Sequence, residues 1–229
     1  MGKLQNNRVL IIGGGVAGIQ AALDSAEMGY HVDLIEKSPS LGGDMAKLDK
    51  TFPTNDCSMC ILAPRLVSVA RHPNINVLTS ANVMEITGEA GDFKVRIFKK
   101  ARYVDLDKCT GCGACSQVCP VKIEDEYNQN LCKTKNIYIP YPQAVPLAAL
   151  INPEHCLYLT KNKCRACEKI CTAKAIDFTQ IDEEITLNTG AIIFATGTKL
   201  FNAGEKNEYG YGKFPNVITS MEMERILSA

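Results

Sequence analysis

Four cysteines, Cys109, Cys112, Cys115 and Cys119, fall within eleven residues, and Pro120 follows the last. The spacing C-x2-C-x2-C-x3-C-P is one that holds iron–sulfur cubes: three close thiolates wrap one cube and the fourth leaves to ligate a second. Thr110, Gly111 and Gly113 suit the wrap, because glycine tolerates positive φ and lets backbone N–H groups face the sulfides. A zinc ribbon would instead separate two C-x2-C pairs by about 15–20 residues. Further along, Cys164, Cys167 and Cys171 repeat the last three positions of the run. Lys161 stands where a regular first cysteine would, and Cys156 in NPEHC is the nearest substitute. Thr172 replaces the closing proline.

A second stretch points to a nucleotide. Arg8–Ile12 (RVLII) has a buried-strand pattern and runs into glycines at 13, 15 and 18, a G-x-G-x-x-G. Gly13 makes the tight turn, Gly15 lets the backbone approach a pyrophosphate, and Gly18 lets helix and strand pack closely. Glu36, at the end of the next strand HVDLIE, is placed to reach ribose hydroxyls, with Lys37 beside it and Gly42-Gly43 beyond. An apolar strand, AIIFA, ends in Ala195-Thr196-Gly197. The extended pattern, including Thr196 and Gly197, resembles the FAD-binding domain of the glutathione reductase and thioredoxin reductase superfamily. The glycine fingerprint alone admits NAD as well as FAD.

Taken together, the stretches resemble the A-subunit of heterodisulfide reductase. They also resemble the A-subunit of the quinone-interacting, membrane-associated oxidoreductase. The likeness rests on GGDMAKLDKTFPTNDCSMCILAPRL, RHPNI, RYVDLDKCTGCGAC, YPQAVP, AIDF, GAIIFATG and FPNVITSMEMERILSA, nearly the whole chain. It implies FAD and two [4Fe-4S] clusters within a multisubunit complex, with electron bifurcation or confurcation. It also implies partners: the cluster-bearing and disulfide-reducing subunits, and a hydrogenase or formate dehydrogenase module. In two-cluster ferredoxins the fourth cysteine of each run crosses to the other cube. Carried over, one cube takes Cys109, Cys112, Cys115 and Cys171, and the other takes Cys119, Cys156, Cys164 and Cys167.

Cys57, Cys60 and Cys132 are then left, too few for a third cube without a foreign ligand. Cys57-x2-Cys60 lies in a loop rich in Pro, Thr, Asn and Asp. Three readings stay open: a dithiol beside the flavin, two ligands of an additional cluster completed elsewhere, or two free thiols. Cys132 reads as a spare thiol and His155 as a surface histidine.

The elements that position these residues follow from pattern. Residues 19–28 read as the helix after the glycine turn, ended by Gly29. A helix is expected from about Pro64 within 61–70, a strand at 76–79, and a hairpin from 83–87 and 93–100 across Gly88–Gly91. Strands at 184–187 and 190–195 are expected to complete the same sheet system. Tyr138–Pro146, with its three prolines, reads as an extended linker across the module, its aromatics packing rather than stacking on a nucleotide. The fold class is therefore α/β. A Rossmann-like FAD-binding domain spans 1–103 and 182–229, incomplete at its C-terminus, and carries an inserted α+β two-cluster ferredoxin domain over 104–181. The sequence holds no second G-x-G-x-x-G, so a further chain is expected to complete the flavin domain.

Composition narrows the class. Lys plus Arg equals Asp plus Glu at 25 each, so no global basic field suits nucleic acid. Eleven cysteines is an odd and high count for a disulfide scaffold, and no signal-peptide pattern opens the chain. A reducing cytoplasm and no direct membrane span are expected. A competing reading is a non-catalytic iron–sulfur relay or assembly scaffold without its own flavin. The small subunit of glutamate synthase is a poorer match, because its clusters precede the Rossmann fingerprint. Here the cysteine run follows it by about 90 residues.

Overall fold

The computed structural model describes residues 6–228. Strand β1 (Arg8–Ile12) leads into helix α1 (Val16–Glu27), which returns to β2 (His31–Ile35). Then come α2 (Ser58–Arg71), β3 (Ile75–Leu78), and the hairpin of β4 (Ala81–Glu89) and β5 (Asp92–Lys99). Residues 100–182 carry three short helices, α3 (Ala114–Val118), α4 (Leu157–Lys161) and α5 (Ala166–Ile170). Strands β6 (Glu183–Thr189) and β7 (Ala191–Phe194) and helix α6 (Ser220–Leu227) follow.

The order β7-β1-β2-β3 makes a parallel sheet, with Ile12 level with both Ile35 and Phe194. β1 is apolar on both faces because both are covered. Val9 and Ile11 meet the buried stripes of α1 (Ile19, Ala22, Leu23, Ala26) and α2 (Leu62, Leu66, Val69). On the other face, Leu10 meets Val95 and Ile97 of a three-stranded antiparallel sheet, β6-β5-β4.

Two local expectations give way. α2 starts at Ser58 rather than near Pro64, with Cys57 as its N-cap. Burial of Leu62, Leu66 and Val69 outweighs the bond that Pro64 cannot give to the Cys60 carbonyl. The strands at 184–187 and 190–195 do not share a sheet: β6 pairs with β5, whereas β7 pairs with β1. The chain changes layer at Thr189-Gly190, where the Thr189 hydroxyl and the Gly190 N–H both donate to the Arg8 carbonyl, at 2.8 and 2.9 Å.

Lys99 pairs with Glu183, so the two ends of the intervening segment lie side by side. Val104 bridges Ile176 just inside them. The segment has its own small core of Val104, Ile137, Ala149, Ile151, Ala175 and Ile176. It is also anchored to the parallel-sheet layer through the extended stretch 138–146, whose Tyr141 packs inward. Tyr141 and Ala144 are buried in the α1/α2 core. Tyr141 Oη donates to the Leu41 carbonyl, and the Leu41 N–H donates to Val145 O at 2.8 Å. The cause is the unspent apolar area of the aromatics: Tyr141 stacks on Tyr127 at 5.3 Å between centroids, and Tyr127 Oη donates to Ala46 O at 2.8 Å. Among the described residues no helix is long and apolar enough to cross a membrane.

Candidate functional site

At the C-terminal ends of β1, β2 and β7 lies a cleft of about 470 Å3, within the range of small-molecule sites. It opens at the carboxyl ends of adjacent parallel strands, beside the glycine turn between β1 and α1, where such sheets usually bind ligands. Gly13, Gly15, Glu36, Lys37, Gly43, Thr196 and Gly197 line it. Gly18 and Gly42 do not, and the structure gives them supporting roles. A Cβ on Gly18 would stand 1.8 Å from the Gly13 carbonyl oxygen, so its bareness lets α1 sit on the turn. Gly42 N–H donates to Gly14 O at 2.7 Å and ties the two glycine loops together.

Gly15 is open: a Cβ there would meet nothing nearer than Gly43 at 4.0 Å. It is also the N-cap of α1, with no capping side chain and no acid in the first turn. The first N–H groups of that helix therefore face the cleft ready for an anion. Glu36 is buried at 6% exposure, and its carboxylate accepts from Gly14 N at 2.6 Å and Ser38 N at 2.7 Å. A carboxylate has about four acceptor positions, so two remain for hydroxyls. A bare turn, an uncapped helix start and a held carboxylate fit a dinucleotide. The sequence reading missed the opposite wall, made by Glu126, Tyr127, Tyr138 and Tyr141. For Tyr138 and Tyr141 the signal was the clustered tyrosines of YIPYPQ; Glu126 and Tyr127 come from a separate stretch with none.

The cysteines of the inserted segment surround two cavities. Cys109, Cys112, Cys115 and Cys171 line one, with Thr110, Gly111, Gly113 and Thr172. Cys119, Cys156, Cys164 and Cys167 line the other. Helices α3 and α5 create this arrangement by packing on each other. Each carries one cysteine, Cys115 or Cys167, and is capped at its C-terminus by another, Cys119 or Cys171, that faces the opposite cavity.

Burial pushes the Cys115 thiol up to about 11 and the Cys167 thiol up to about 12. Thiolates there need a metal's positive charge. The exposed Cys112 thiol is lowered, first by the Ala114 N–H and then by Thr110. Among the described residues no group of three or more His, Cys, Asp or Glu side chains converges on a single ion position. Four thiols lining each cavity are the donor set of a [4Fe-4S] cube.

Cys57 and Cys60 form a disulfide at the start of α2, both exposed and outside all three cavities. Cys132 and His155 are exposed too.

Comparison with known proteins adds the following. Residues 8–55 match the family model "FAD dependent oxidoreductase", and residues 102–123 match "4Fe-4S binding domain". The A-subunit of the H2:CoB-CoM heterodisulfide, ferredoxin reductase of Methanothermobacter thermautotrophicus is 50% identical over 98% of this chain and 33% of that protein. The second iron-sulfur A-subunit of the CoB–CoM heterodisulfide reductase of Methanopyrus kandleri is 55% identical over 97% of this chain and 33% of that protein. The chain thus spans about a third of the length of these relatives. Among solved structures, L-proline dehydrogenase of P. horikoshii shows 29% identity and a TM-score of 0.36, over 40% of this chain and 19% of that one.

Proposed function

We propose that the chain is a part of a heterodisulfide reductase A-subunit, whose relatives it matches at 50–52% identity over nearly its whole length, and that it passes electrons between FAD and two [4Fe-4S] clusters. The observation that carries the proposal is a shared wall. One inserted segment lines two cavities with eight cysteines and also supplies the tyrosines facing the glycine-lined cleft. FAD exchanges electrons in pairs and iron–sulfur cubes one at a time, so their juxtaposition supplies conversion between the two regimes. The chain's own residues hold and place these groups. Gly13, Gly15 and the start of α1 receive the pyrophosphate, Glu36 takes ribose hydroxyls, and Thr196 and Gly197 close the far side. Cys109, Cys112, Cys115 and Cys171 hold one cluster, and Cys119, Cys156, Cys164 and Cys167 the other. Residues 104–181 form the cluster domain, set into a flavin domain of 1–103 and 182–229.

The wider assembly is inferred from the relatives' names and from the sequence resemblance. Other heterodisulfide reductase subunits are the partners, with a hydrogenase or formate dehydrogenase module as the electron source and bifurcation as the mode. A further stretch of polypeptide completes the flavin domain. In support, β7 is a sheet edge, and Phe194 is 67% exposed with Leu200, Phe201 and Phe214 also bare beyond it. Cys57 and Cys60 either cycle between dithiol and disulfide or, once reduced, ligate a cluster that another chain completes. Cys57→Ser with Cys60→Ser lowers the iron count of the assembled complex only in the second case.

Cofactor analysis and the visible spectrum of anaerobically purified protein test the main reading. It requires about eight irons with matching sulfide and one FAD. Iron and sulfide without FAD would favour the flavin-free relay, and zinc without sulfide would sink both.

A further inference from the structure

Arg102 sits at the seam between the cleft and the first cysteine-lined cavity. Its guanidinium is buried, with 7% of the residue exposed, and donates to three carbonyls. Nη1 reaches Pro39 O at 2.8 Å, Nη2 reaches Ala148 O at 2.7 Å, and Nε reaches Ala149 O at 2.9 Å. Pro39 lines the cleft, and Ala149 lines the cavity of Cys109, Cys112, Cys115 and Cys171. One side chain therefore fastens a wall residue of each site.

The charge is as informative as the geometry. Among the described residues Arg102 makes no ion pair with a carboxylate. Carbonyls give it dipoles but no net counter-charge, and a buried unpaired cation is costly. Burial lowers its pKa to about 10, against the raising influence of Cys109 and Tyr138, so it stays charged at neutral pH. Cys109 is a wall residue of the first cavity. A cube held by four thiolates is a net anion, and it becomes more negative by one charge when reduced. Such a group is the counter-ion that the buried guanidinium lacks.

Resting on the cluster reading above, we propose that Arg102 is a positioning residue and fixed counter-charge for the cluster held by Cys109, Cys112, Cys115 and Cys171. It raises that cluster's reduction potential and locks it against the flavin cleft. A cation in a low-dielectric seam stabilises the reduced, more anionic cluster over the oxidised one. The second cavity also has a cation at its wall, since the half-buried Lys135 ammonium donates to Cys119 O at 2.6 Å, but the Arg102 guanidinium makes no hydrogen bond to that wall, so the second cluster is the internal reference for an Arg102 substitution.

The test uses the full-length subunit purified anaerobically, with both midpoint potentials followed by EPR during a redox titration. Cys112→Ser, which alters only the first cluster's signal, assigns the two. In Arg102→Met the first cluster's midpoint moves to more negative potential and the second does not move. In Arg102→Lys, which keeps the charge and loses the fork, the first midpoint stays close to the native one. Unchanged potentials in a fully loaded Arg102→Met protein would overturn the inference, as would an equal fall in both clusters. If Arg102→Met cannot be loaded, Arg102→Lys decides: a first midpoint that falls despite the retained charge refutes the counter-charge. Absence of iron from the native protein would instead refute the cluster reading itself.

Discussion

Gly15 and Gly18 belong to one motif but meet different surroundings. Gly18 presses on the turn, where an added Cβ would stand 1.8 Å from the Gly13 carbonyl oxygen. Gly18→Ala must push α1 off β1 and is expected to cost about 1–3 kcal/mol or more of stability. Gly15 has an ordinary φ of −79° and open space in front of it. Gly15→Ala is expected to leave stability within about 0.5 kcal/mol, as for substitutions that touch nothing. Its methyl group nevertheless occupies the approach of the pyrophosphate, so FAD affinity should fall at least about tenfold, or 1.4 kcal/mol. Thermal melts of the FAD-free proteins beside a fluorescence titration with FAD separate the two effects. Equal melting losses for both variants would overturn the assignment. The motif itself was readable because its roles are local. Which glycine faces the ligand was not, since it depends on Gly43, which arrives from a loop about 28 residues away.

At the scale of elements, the parts of the inserted segment that carry α3, α4 and α5 are held by little besides their cysteines, whereas 138–146 is anchored in the α1/α2 core. α3, α4 and α5 have five residues each, well short of the roughly 12–15 at which isolated helices become even marginal in water. The core around them has six buried apolar residues, and the partly buried side chains on it include Cys109, Cys115, Cys119, Cys156, Cys167 and Cys171. Cluster binding is then a large part of this segment's folding energy. Chelating the iron under reducing conditions is expected to unfold residues 109–119 and 156–171, while the parallel sheet and the 138–146 stretch packed in its core persist. Hydrogen exchange reads this directly, through lost protection in α3 and α5 and retained protection in β1, β2 and α1. Retained protection of α3 and α5 without iron would show that protein contacts suffice. The sequence made the strands of this protein legible, because alternation and apolar runs are local. Pairing was not legible: β6 and β7 are separated only by Gly190, yet they join different sheets. Their partners, β5 and β1, are chosen by tertiary contacts such as the Thr189 hydroxyl on the Arg8 carbonyl.

Across the whole molecule, the decisive contact joins residues 100 positions apart, Tyr141 and Leu41. A segment with prolines at 140, 142 and 146 has no periodicity to betray a buried face, so it reads as a linker. In the structure it pins the cluster-bearing segment to the cleft, with Tyr141 only 5% exposed. Tyr141→Phe removes one hydrogen bond and is expected to cost about 1 kcal/mol while keeping the packing. Tyr141→Ala removes the ring and is expected to cost about 3–5 kcal/mol at the seam. Neither change touches a cysteine or the glycine turn. Both variants should therefore bind iron in native amount, whereas Tyr141→Ala lets the segment pull away from the cleft. Electron transfer falls steeply with separation, so transfer between flavin and clusters should slow markedly in Tyr141→Ala and stay near native in Tyr141→Phe. Stopped-flow reduction, with flavin and cluster absorbance followed together, measures this. A native transfer rate in a fully loaded Tyr141→Ala protein would mean that other contacts, Arg102 first among them, hold the two sites in place without the ring.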